Sequence, residues 1–175
     1  MLRPFRAANG MNILGQGGWI LLFTVPAVAG AVAAHLCAPD FVRIPLPDKV
    51  LLSLGVVIAV PGVALWLAAV VQLLVGFPRG KLVTTGAYGV CRNPIYSSFA
   101  FFVLPGMSLA TGTWVYLVVA ASLCLGVAIF IRREERDLLR VFGEEYRDYT
   151  ARVHRIVPFM KPYEGGKTLD VDGTS

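Results

Sequence analysis

VLLSLGVVIAVPGVALWLAAVVQLLVGF, residues 50–77, is 28 residues long and carries no charge. A helix of that length reaches about 42 Å, more than the roughly 30 Å hydrocarbon core of a bilayer, so it is expected to tilt or to kink at Pro61. Reading outward gives three more apolar segments: residues 18–37, interrupted by His35; residues 95–110, short and containing Pro105; and residues 114–131. Thr111-Gly112-Thr113 between the last two leaves room only for an antiparallel hairpin. The whole chain of 175 residues is 56% hydrophobic and 15% charged, where a soluble domain carries roughly a quarter charged residues. The fold class is therefore all-α: a polytopic membrane protein with about four transmembrane helices.

The basic residues set the orientation. With four crossings, one side receives Arg3 and Arg6, then Arg79, Lys81 and Arg92, and then the C-terminal series Arg132, Arg133, Arg136, Arg140, Arg147, Arg152, Arg155, Lys161 and Lys167. The other side receives Arg43 and Lys49. The positive-inside rule puts both termini in the cytoplasm, in a membrane of the bacterial inner type. The net charge of +5 is then a topology signal that also favours anionic membrane lipids, and no nucleic-acid partner is called for. Arg3, Arg6 and Ala31-Val32-Ala33 have the outline of a signal peptide, but the lead before the apolar run is long for one, and the first segment is expected to be a retained span. Cys37, Cys91 and Cys124 lack metal-like spacing, and with histidines only at 35 and 154 no metal site is expected. Residues 1–160 read as one domain, with the site motifs in 80–160, and residues 161–175 as a disordered tail. Oligomeric state is not legible.

Two polar clusters interrupt this apolar chain. The first is Gly86-Ala87-Tyr88-Gly89-Val90-Cys91-Arg92-Asn93-Pro94-Ile95-Tyr96. Its glycines permit tight turns, Pro94 suits the first position of a helix, and Asn93 before it suits the N-cap. That helix start, next to Arg92, offers donors to an anion. The second cluster lies where the last span continues as a helical extension into the cytoplasm. On a helical projection Ile131, Leu138, Leu139 and Phe142 share one face, and Arg132, Arg133, Arg136, Asp137 and Arg140 the other. Glu135 falls within the apolar face and Glu134 at its margin. Carboxylates facing inward at the membrane exit need polar company. Gly143 is expected to end or bend the helix, and Tyr146 and Tyr149 beyond it to pack on the membrane surface.

Taken together, Glu134 and Glu135 offer acceptors to an ammonium or to ribose hydroxyls. Arg92 and the helix start offer donors to a carboxylate, and Tyr88 and Tyr96 offer aromatic faces to an adenine or a sulfonium. Those groups complement S-adenosyl-L-methionine.

The residues Leu82-Val83-Thr84-Thr85-Gly86-Ala87-Tyr88, Arg92-Asn93-Pro94-Ile95-Tyr96, Glu134-Glu135 and Phe142-Gly143-Glu144-Glu145-Tyr146-Arg147-Asp148-Tyr149, with Val153 and Pro158, resemble the isoprenylcysteine carboxyl methyltransferase and phospholipid methyltransferase superfamily. The resemblance covers roughly residues 70–160. It implies a membrane-embedded S-adenosylmethionine-dependent methyltransferase with a cytoplasmic cofactor pocket and a lipid-soluble acceptor. It further implies that Lys81, Leu82, Val83, Tyr88, Asn93, Pro94, Ile95, Tyr96 and Glu134 bind the cofactor, with Arg92 and Glu135 as catalytic residues. The chain has Asn93 where the usual motif has histidine, and Phe130 where the eukaryotic prenylcysteine enzymes have an arginine. The acceptor's reacting group stays open between carboxylate, thiol and amine. Two other readings are an NADPH-dependent sterol- or enone-type reductase and a non-catalytic membrane protein.

Overall fold

The computed structural model describes residues 17–76 and 81–159. The lead before Gly17, Phe77, Arg79, Lys161, Lys167 and the expected tail lie outside the described residues. Within them the chain is helical: α1 (Gly17–Cys37), the short α2 (Pro39–Val42), α3 (Asp48–Gly76), α4 (Ala87–Val90), α5 (Pro94–Ser98), a wide turn (Phe99–Val103), α6 (Leu104–Ala110) and α7 (Val115–Arg152). α1, α3 and α7 are each long and apolar enough to cross a bilayer, and Pro94–Ala110 forms one shorter apolar helix between them. α3 runs unbroken through Pro61, starts two residues earlier than the apolar run and has 29 residues.

The Pro94–Ala110 helix changes pitch for a covalent reason. Pro105 has no N–H to give to Phe101. The preceding N–H, of Leu104, reaches back five residues to the Phe99 carbonyl, and Phe99–Val103 winds as a π-turn. Phe99 is thereby set edge-on against Trp66 of α3, with ring centroids 6.0 Å apart.

Water-driven burial is weak between helices already surrounded by hydrocarbon, so close backbone approach has to hold them. α3 and α6 meet through such a stripe. A Cβ built on Gly55 would lie 2.5 Å from both the Gly106 carbonyl oxygen and the Ala110 nitrogen, and one on Gly62 would lie 2.4 Å from the Phe102 Cβ. The core proper is formed by α1, α6 and α7, with Ile20, Leu104, Val115, Val119, Leu123, Val127 and Ile131 buried together. Leu21, Leu22, Val57, Leu52, Leu125 and Ile129 point outward, as lipid-facing side chains do.

Both short loops share one end of the bundle. Ile44 N–H donates to the Gly112 carbonyl at 2.8 Å and Trp114 N–H to the Val42 carbonyl at 3.1 Å. The Thr113 hydroxyl donates to the Val42 carbonyl at 3.1 Å. The start of α1, the end of α3, the loop before α5 and the segment after α7 consequently gather at the other end. That gathering collects the polar motifs on one side. At that end α7 turns sharply at Gly143, whose φ of 52° and ψ of −123° suit only glycine, and the chain folds back.

Gly106→Val is expected to cost roughly 1–3 kcal/mol by forcing α6 off α3, and to lower the thermal unfolding temperature in detergent. Gly30→Val, on α1 with no neighbour within 4 Å of its would-be Cβ, should leave that temperature unchanged.

Candidate active site

The loop leading to α5 is fixed at its first turn by α3. Gly86 has φ of 63°, and a Cβ there would lie 1.9 Å from Gln72 Nε2. Gln72 Oε1 accepts the Ala87 N–H at 3.1 Å. One residue's lack of a side chain and another's half-buried amide therefore set the path of residues 86–90. Gln72 was missed from sequence. The signal was its position as a lone amide in an uncharged span, where a polar group needs a partner.

The chain after Gly143 then covers this loop. The Tyr149 hydroxyl donates to the Tyr88 carbonyl at 2.6 Å, Arg92 N–H donates to the His154 carbonyl at 2.9 Å, and Phe159 N–H donates to the Val90 carbonyl at 3.2 Å. Tyr146 and Tyr149 stack edge-to-face and are buried, which corrects the expectation that they lie on the membrane surface. The amphipathic pattern was real, but its apolar side meets protein. Asn93 also departs from expectation. It makes no side-chain cap; its Nδ2 donates to the Arg155 carbonyl at 2.9 Å, tying the helix start to the returning chain.

At the centre of the assembly is Glu135. Arg155 grips it with two bonds, Nε to Oε1 at 2.9 Å and Nη2 to Oε2 at 2.5 Å. Arg92 Nη2 reaches Oε1 at 3.3 Å from the opposite element, and the Glu135 and Arg92 side chains are each only 13% exposed. This parallel-fork geometry is the strong form of a charge-assisted bond. Burial, followed by the charge of Glu135, raises the nearby Tyr146 phenol to about 12 while Arg92 opposes the shift.

Glu134 has a different environment. Its charge lies close enough to Tyr88 to add to the effect of burial, and together they push that phenol far above its ordinary value. Tyr96 is also within electrostatic reach of Glu134, and its hydroxyl lies 2.7 Å from where a Cβ on Gly17 would be. Leu82 and Val83 are half-buried in the irregular approach to the loop, and Val83 packs against Gly76. Pro94 is buried, Asn93, Ile95 and Tyr96 are half-buried, and Lys81 is exposed. Tyr88, Tyr96 and Glu134 are thus brought together, and Arg92 and Glu135 join each other beside them. Cys91 is fully buried, and burial raises its thiol. Among the described residues no group of histidine, cysteine, aspartate and glutamate is arranged to hold a metal ion.

Glu135→Leu should leave two guanidiniums facing each other and cost roughly 3 kcal/mol. Gln72→Leu should cost about 1–3 kcal/mol by stranding the Ala87 N–H. Amide exchange would separate the two: the first change should loosen residues 92–93 and 153–157, the second residues 86–90.

The phospholipid methyltransferase family profile matches residues 76–145, which hold the loop, the Pro94–Ala110 helix and both glutamates. The chain is 37% identical over 86 residues to methanethiol S-methyltransferase 1 of Bradyrhizobium diazoefficiens, covering 48% of this chain and 28% of that protein. It is 36% identical over 92 residues to protein-S-isoprenylcysteine O-methyltransferase of Rattus norvegicus, covering 49% and 30%. It is 31% identical over 122 residues to the cobalt-zinc-cadmium resistance protein CzcN of Cupriavidus metallidurans, covering 70% and 54%. The chain thus spans between about a quarter and about half of the length of these relatives. The matched segment holds Arg92, Glu134 and Glu135 of the polar cluster, while Arg155 lies beyond it, and the chain is similar to the membrane methyltransferase superfamily that holds the phospholipid and isoprenylcysteine carboxyl methyltransferases.

Proposed function

We propose that this protein is an S-adenosyl-L-methionine-dependent methyltransferase acting on a lipophilic small molecule at the cytoplasmic face of the membrane. The observation that carries the reading is that Glu134 lies within electrostatic reach of both Tyr88 and Tyr96, beside a loop held by Gln72 at one point and Tyr149 at another. Those residues fit the donor. A carboxylate suits an ammonium or ribose hydroxyls, and phenol rings in a half-buried setting suit a sulfonium or a purine. Leu82, Val83, Asn93, Pro94 and Ile95 form the walls in this reading, and exposed Lys81 stands at the mouth. The domain comprises residues 1–160, and the basic residues at this end support its cytoplasmic placement.

When bound, the donor supplies a methyl carbon carried on a positively charged sulfur. The chain's own residues have to align the acceptor with that carbon and exclude water from the charge that disappears. Residues 144–159, folded over the loop, do the second. Arg92 and Glu135 serve the first by holding the loop before α5 and helix α7 in fixed relation. Glu135, gripped from both sides, holds the site together; proton removal would require it to give up an arginine.

Glu134→Gln is expected to weaken binding of S-adenosylhomocysteine about tenfold, the scale of one charge-assisted hydrogen bond, with thermal stability retained. Titration calorimetry on the purified protein measures it. Equal affinity in the variant and the parent would remove Glu134 from the pocket, and stabilisation by NADPH in place of S-adenosylhomocysteine would overturn the reaction class.

A further inference from the structure

At the end of the bundle opposite the glutamates lies a cavity of about 330 Å³, large enough for a small-molecule site. It opens between the two tied loops, and His35, Arg43, Asp48, Leu51, Thr111 and Thr113 line it. From Val115, beside the cavity, α7 rises roughly 29 Å to Glu134. A ligand held here is out of reach of any chemistry at the other end.

His35, in the last turn of α1, shows that the cavity lacks a polar partner. Its Nδ1 is buried and has no hydrogen-bonding partner among the described residues. Tyr116 lies against the ring, with centroids 5.9 Å apart. A buried nitrogen at the end of a membrane span is costly unless a polar group meets it.

The other polar groups offer complements of both kinds. The Thr111 hydroxyl donates to the Met107 carbonyl at 2.7 Å, and the Thr113 hydroxyl to the Val42 carbonyl at 3.1 Å. Each hydroxyl has one proton, so what remains to each is an acceptor. Arg43 Nη2 donates to Asp48 Oδ1 at 3.1 Å, and both side chains are largely exposed at the mouth. The guanidinium has further N–H groups to give, and the carboxylate has a second oxygen. Within residues 17–76 the charged side chains are Arg43 and Lys49 against Asp40 and Asp48, which sum to zero. A simple anion or a simple cation would find one half of this site against it. A ligand carrying one charge of each sign matches both halves.

The rim indicates where such a ligand comes from. Leu36, Phe41 and Trp114, each next in sequence to a lining residue, are exposed, and Phe41 meets Trp114 edge-on with ring centroids 6.4 Å apart. Exposed aromatic side chains at the end of a span sit at the level of the lipid headgroups.

We propose that this cavity binds the headgroup of a zwitterionic phospholipid, with its phosphate toward His35 and Arg43 and its ammonium toward Asp48 and the threonine oxygens. His35 donates through Nδ1, in the tautomer that carries the proton there. The lipid is a structural ligand that staples the α1–α3 loop to the α6–α7 turn. This goes beyond the methyltransferase reading and does not rest on it.

The test titrates the full chain in detergent micelles, without methyl donor. The probes are phosphatidylethanolamine, phosphatidylglycerol with the same tails, and inorganic phosphate. Native mass spectrometry counts bound lipid, and thermal shift reports the stabilisation that binding to the folded state brings. Phosphatidylethanolamine is expected to bind about tenfold more tightly than phosphatidylglycerol, the scale of one charge-assisted contact, and phosphate should bind more weakly than either. Two variants locate the site. His35→Phe keeps a ring against Tyr116 but removes the nitrogen, and should weaken phosphatidylethanolamine about tenfold. Asp48→Asn keeps a polar group at the start of α3 while leaving the mouth positive, and should turn the preference toward phosphatidylglycerol. That reversal is a gain of binding, which misfolding does not produce. Equal affinity of the parent for the two lipids would overturn the proposal, as would phosphatidylethanolamine binding unchanged in both variants. Phosphate binding as tight as the lipid would assign the cavity to a small anion and overturn it equally.

Discussion

One buried carboxylate holds three distant pieces of this chain in register. Glu135 on α7 is bound by Arg92 from the loop before α5 and by Arg155 from the segment that returns after Gly143. A lone glutamate at that depth would be costly, as would either arginine, and each is tolerable because the others are there. The Arg92 N–H bond to the His154 carbonyl and the Asn93 side-chain bond to the Arg155 carbonyl join the same two segments. Loop, helix and return are therefore one cooperative unit.

The arrangement gives two adjacent glutamates separate work. Successive helical residues point about 100° apart, so with Glu135 turned into the arginine pair, Glu134 takes another bearing, within electrostatic reach of Tyr88 and Tyr96. Arg92 and Arg155, on the Glu135 side, line a cavity together with His154, so the two glutamates serve different surroundings.

Much of this was legible in the sequence because the bilayer imposes a strict grammar. Uncharged runs gave the spans, and Thr111-Gly112-Thr113 gave the hairpin, whose turn is indeed tied to the α1–α3 loop. Glu135 stood out because a charged residue on an apolar face demands a partner, and Gly143 bends the chain as its position implied. The failures have a common cause: periodicity shows which side of a helix is apolar but not what covers it. Tyr146 and Tyr149 were assigned to lipid and pack under protein. Asn93 has the right chemistry for a cap and spends its side chain on Arg155 instead. Arg155 and His154 carried no local signal, since their partners are 20 and more than 60 residues away. Gln72 was visible as an anomaly, but its acceptor role depends on a fold-level contact. The resemblance of residues 82–149 located the working segments, and the geometry supplied their connections.

The central claim is that residues 81–96 and the Glu134 region enclose a methyl donor. It is tested most directly by photo-crosslinking S-adenosylmethionine to the purified protein, with and without excess S-adenosylhomocysteine, and mapping the labelled peptides. The account requires saturable label, suppressed by the competitor, on peptides spanning Tyr88 to Tyr96 or Glu134. Label confined to other parts of the chain, or indifferent to competitor, would contradict it.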